Sequence, residues 1–163
     1  MKRISYIIII SAILSFLISG CDWLDKLLNR PQENSVEENN IKYSIKVDKY
    51  RYNIGKEVSI DFTITNKGEQ QRIFGTSGTG GCLSVIGFLI EKDGQEIFNY
   101  PQYWLAYFGQ LVLEPGESKS CSFLWNQIDN EESAVEKGNY TIKAFVGQTY
   151  SGQFFVSIDF VIL

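Results

Sequence analysis

The sequence predicts an all-β chain, an antiparallel immunoglobulin-like β-sandwich of about seven to nine strands. Three observations predict it. After residue 40, apolar and polar residues alternate with a period of two over most of the chain, as half-buried strands require. Turn residues punctuate these stretches at intervals of about ten residues. Aromatic residues make up 14% of the 163-residue chain and suit the pleated surface of a sheet, and no stretch between the candidate strands carries a convincing helical period.

The alternation starts at Ile41. Ile41, Tyr43, Ile45 and Val47 alternate with Lys42, Ser44, Lys46 and Asp48, and Val58, Ile60, Phe62 and Ile64 with Ser59, Asp61, Thr63 and Thr65. Asn66-Lys67-Gly68-Glu69 predicts a turn, and Gln70 to Phe74 a short return strand. Leu83 to Glu91 is apolar at both parities, which predicts a central strand. Asp93-Gly94 predicts a hairpin into Glu96 to Phe98. Glu114-Pro115-Gly116-Glu117 predicts a turn with proline at its second position. Cys121, Phe123 and Trp125 then share one face, and Trp125 is the expected buried tryptophan of the core. Lys137-Gly138-Asn139 leads into Tyr140, Ile142 and Ala144. A closing strand alternates from Phe154 to Ile162.

Ahead of the strands stands an address. Lys2 and Arg3 precede an apolar run from Tyr6 to Ile18, shorter than the roughly 20 residues that a spanning helix needs and suited to a signal peptide. Leu17-Ile18-Ser19-Gly20-Cys21 resembles the bacterial lipobox. That resemblance implies cleavage before Cys21 and a diacylglyceryl thioether on Cys21, with further acylation (palmitate, for example) on the new amino group. Two or three acyl chains hold a protein to a bilayer far more firmly than one. The expected organisation is a cleaved signal peptide over 1–20, a lipid-anchored tether over 21–40 and the sandwich over 41–163. Pro31 to Asn40 is polar and reads as a flexible linker. The expected location is outside the cytoplasm, on the cell membrane or the outer membrane.

Composition excludes several functions. The chain has no histidine, which removes Ser-His-Asp and Cys-His catalysis and the commonest zinc ligand. No Ser-x-x-Lys pair occurs and no carboxylate pair stands out, so no enzyme, metal or cofactor is expected. The net charge of −4 argues against nucleic acid.

The remaining candidates are few. With Cys21 lipidated, Cys82 and Cys121 form an even remainder in an exported chain, which predicts a disulfide; two buried thiols are the alternative reading. Gly75 to Gly81 lacks the Lys-Ser/Thr ending of a phosphate loop and reads as a connection between strands. Asn99 to Phe108 is rich in aromatics. Tyr100, Tyr103, Trp104 and Tyr107 are the binding candidates there, because Tyr and Trp give large contact area at low entropy cost; packing across the core is the competing reading. Asp129-Asn130-Glu131-Glu132 lacks the graded ligand spacing of a calcium loop and reads as solvated.

Several stretches together resemble the BsuPI-type domain, named for a bacterial intracellular proteinase inhibitor. These are Thr65-Asn66-Lys67-Gly68, Leu113-Glu114-Pro115-Gly116-Glu117, the lone Trp125, and Gly138-Asn139-Tyr140, within a similarity spanning about Tyr43 to Val146. The resemblance implies the sandwich fold and, as one functional option, proteinase inhibition. The chain departs from that family in its export signal, in Lys137 before Gly138, and in the glycine-rich stretch Gly75 to Gly81. The expected function is a non-catalytic protein-binding or scaffold module at the envelope, anchored through lipid on Cys21, with a protein partner; the alternative is an inhibitor whose partner is a protease.

Overall fold

In a computed structural model, residues 29–77, 86–101, 108–146 and 156–163 are described. Contacts divide the chain into Met1–Arg30 and Pro31–Leu163, and the strands all lie in the second unit. They are β1 (Gln32–Glu38), β2 (Ile41–Val47), β3 (Arg51–Tyr52), β4 (Val58–Asn66), β5 (Arg72–Ser77), β6 (Ile86–Lys92), β7 (Gln95–Tyr100), β8 (Phe108–Leu113), β9 (Ser118–Trp125), β10 (Gly138–Val146) and β11 (Val156–Ile162).

The strands form a four-stranded sheet ordered β1-β2-β4-β9, a five-stranded sheet ordered β3-β11-β10-β6-β7, and a two-stranded sheet of β5 and β8. All pairings are antiparallel except β3 with β11. The larger two sheets bury their apolar parities against each other: Tyr43, Ile45, Phe62 and Trp125 from one, Phe88, Ile142, Ile158 and Phe160 from the other. The fold is therefore the predicted all-β sandwich of immunoglobulin-like type. β6 is buried over its first five residues and lies between β10 and β7, as its unbroken apolar run predicts.

Trp125 is 1% exposed. Its indole lies about 6 Å from the rings of Phe98, Tyr140 and Phe160, and its Nε1–H donates to the Ile128 carbonyl at 2.8 Å. Tyr140, at the start of β10, donates its hydroxyl back to the Glu136 carbonyl. This is the tyrosine corner that pins a connection to a sandwich strand.

One expectation needs correction. Gln32–Glu38, which its polarity assigns to the linker, is a strand paired with β2 along its whole length. It is an edge strand exposed almost throughout, so it buries no apolar stripe for a sequence reading to find. Register places Glu33 opposite Lys46 and Glu37 opposite Lys42, pairings that favour the ladder. The decisive signal is Asn39-Asn40. Both have positive φ, 51° and 61°, and join β1 to β2 in a two-residue type I′ turn. Asp93-Gly94 makes the same turn between β6 and β7, with φ of 53° and 79°.

Gly87 illustrates packing on the other parity of β6. It lies opposite Phe145 in the β6–β10 register, and a Cβ there would fall 2.2 Å from the Phe145 ring. Phe145 is itself only 2% exposed and has little room to yield. Gly87→Ala is expected to destabilise the fold by about 1–3 kcal/mol, read as an earlier midpoint in denaturant unfolding. An unchanged midpoint would show that the ring swings aside freely.

Candidate binding surface

Two polar side chains that are fully buried set the geometry of the two ends of the sandwich. At one end, Gln127 accepts from the Gly55 amide at 2.7 Å and donates to the Asn53 carbonyl at 3.1 Å. At the other end, Asn66 closes β4. Its Nδ2 donates to the carbonyls of Gln70, Leu113 and Glu114 at 2.8, 3.1 and 3.2 Å, and its Oδ1 accepts from the Gly68 amide at 3.0 Å. Its backbone bonds to Glu117 and Gly116 at 2.9 Å each. Asn66 thus ties the β4–β5 turn to the Glu114–Glu117 turn, in which Gly116 takes φ 76°, as the third position of a type II turn requires.

Four strand ends of the five-stranded sheet also gather at the Asn66 end. Ile86 lies opposite Val146, Phe88 opposite Tyr100, and Ala144 opposite Val156. The chain therefore enters β6, leaves β7, leaves β10 and enters β11 on four neighbouring strands at one end. In the sequence, 78–85 precedes the first of these strand ends, 102–107 follows the second, and 147–155 joins the other two.

The sequence-predicted residues fall as follows. Tyr100 sits at the end of β7, half-buried, with its ring 4.6 Å from that of Phe123 and 6.4 Å from that of Phe88, so much of it serves packing. Tyr103, Trp104 and Tyr107 lie outside the described residues, as do Cys21 and Cys82. Cys121 is half-buried beside the core. The acidic loop folds on itself, because Asp129 Oδ1 accepts the amides of Glu131 and Ser133 at 2.9 and 2.8 Å. Among the described residues, no three His, Cys, Asp or Glu side chains are grouped to hold a metal ion.

Sequence reasoning missed a groove at the Asn66 end. It runs between the β1–β2 turn and β5, has a volume of about 270 Å³, and is floored by Ile41, Tyr43 and Phe74 with Glu38 and Arg72 at its rim. Burial pushes the Tyr43 hydroxyl pKa up to about 12, with Glu38 adding to the shift and Arg72 opposing it. A second, polar recess of about 450 Å³ shares Arg72 and adds Asn40, Lys67 and Gln70. No composition bias or motif marks Arg72, which explains why sequence reading passed over it.

No family model and no curated protein matches the chain. Among solved structures it is similar to a β-glucosidase from Erythrobacter marinus (TM-score 0.47, 13% identity, 82% of this chain and 16% of that one). It is also similar to an alkylpurine DNA glycosylase from Pseudomonas fluorescens (0.46, 12%, 82% and 30%). A third is the CARDB domain of a Pyrococcus furiosus protein (0.41, 16%, 83% and 97%). The chain spans about a sixth of the glucosidase and under a third of the glycosylase.

Proposed function

We propose that the chain is an exported lipoprotein, held to the envelope by acylated Cys21, whose sandwich presents its Asn66 end to a protein partner without catalysing a reaction. The observation that carries this reading is the gathering of four neighbouring strand ends, at Ile86, Tyr100, Val146 and Val156, from which the stretches 78–85, 102–107 and 147–155 continue in the sequence. Sandwich folds commonly bind through connections gathered at one end, on a frame that stays rigid. The sequence of these stretches suits that use: Tyr103, Trp104, Tyr107 and Tyr150 stand among Gly, Ser, Thr and Gln, a composition typical of adaptable binding loops. We assign a disulfide to Cys82 and Cys121, which would tie the first stretch to β9 and lower the entropy lost on docking.

The anchor is tested by mass spectrometry of the mature amino terminus. The expected product begins at Cys21 and carries a diacylglyceryl group, and Cys21→Ser is expected to leave the membrane fraction. The same unreduced, denatured protein is expected to show no free thiol. An unmodified Cys21 in membrane-bound protein, or two titratable thiols, would contradict the assignment.

A further inference from the structure

We propose that the groove beside β5 is a docking slot for an extended peptide that ends in an apolar residue bearing a free carboxylate. Arg72, Ile73 and Phe74 all line this groove. Successive strand residues point to opposite faces, so what three consecutive residues share is the edge of the strand. β5 pairs with β8 alone among the described residues, and its other edge therefore offers main-chain donors and acceptors to an added strand.

Both edges of the five-stranded sheet are blunted. Asn130 closes β7, donating its amide to the Ile97 carbonyl at 2.9 Å and accepting from the Asn99 amide at 3.0 Å. β3 is two residues long. Proteins cover or shorten edges in this way to prevent unwanted pairing. The edge of β5 instead carries Ile73 at 56% exposure and opens on an apolar floor.

The charges fix the chemistry of the occupant. Arg72 is held in place by donating to the Asn39 carbonyl at 2.6 Å, at the junction of the apolar groove and the polar recess. Lys67 lines that recess beside it. A guanidinium and an ammonium next to an apolar floor match a carboxylate directly following an apolar side chain. Glu38 and Glu69 in the same linings balance the two cations, which favours a single carboxylate over a polyanion. The residues argued from here are all described ones.

The test is fluorescence polarisation with the full chain in detergent micelles. The probe is a labelled octapeptide alternating Thr and Val and ending in Leu with a free carboxylate; its carboxamide is the control. Saturable binding is expected, weakened at least about tenfold in the carboxamide and by a similar factor in Arg72→Ala. Lys67→Ala is expected to weaken it as well, and because that side chain makes no hydrogen bond or ion pair among the described residues, its loss separates recognition from folding. Absence of saturable binding, equal affinity of acid and amide, or indifference to both substitutions would overturn the proposal.

Discussion

Trp125→Ala is expected to cost about 3–5 kcal/mol, the range for deleting a large aromatic from a close-packed core. The ring is 1% exposed and touches Phe98 from β7, Tyr140 from β10 and Phe160 from β11. Its loss opens a cavity between both large sheets at once, where no single neighbour can collapse to fill it. It also strands the Ile128 carbonyl, which accepts from the indole. Denaturant unfolding followed by far-ultraviolet circular dichroism reads the change. A loss below about 1 kcal/mol would mean that the sheets repack around the gap.

Asn66→Ala is the second large effect, expected at about 2–4 kcal/mol. The side chain is fully buried and serves three carbonyls and one amide, so its removal leaves buried polar groups without partners. Unpaired buried groups cost more than the bonds themselves contribute. The loss should be local as well as global: exchange of the Gly68 and Gly116 amides should accelerate beyond the global change. Normal protection at both positions would show that the two turns hold without this bridge.

The strands that bury one face were legible, because burial writes itself into the sequence as alternation. β2, β4, β9 and β11 follow that pattern, and β6 announces its central place by an unbroken apolar run over its first five positions. β1 was illegible because an edge strand exposed on both faces needs no apolar stripe. β3 is too short to show a period, and β8 follows an aromatic run whose signal masks where the strand starts. The Thr65–Gly68 and Leu113–Glu117 motifs were legible as two turns. That Asn66 joins them was not, because a contact across 47 residues leaves no local trace. The groove at Arg72 arises from the meeting of two turns and a strand edge, none of which is unusual alone.

The central claim is that the Asn66 end meets a partner, and site-specific photo-crosslinking in intact cells tests it most directly. A photoreactive amino acid replaces Trp104 in one chain and Asn139 in another. Asn139 is exposed at the start of β10, at the opposite end of the sandwich. The account predicts a discrete cross-linked envelope protein from position 104, lost in Cys21→Ser, and none from position 139. Equal cross-linking from both positions, or from position 139 alone, would contradict it.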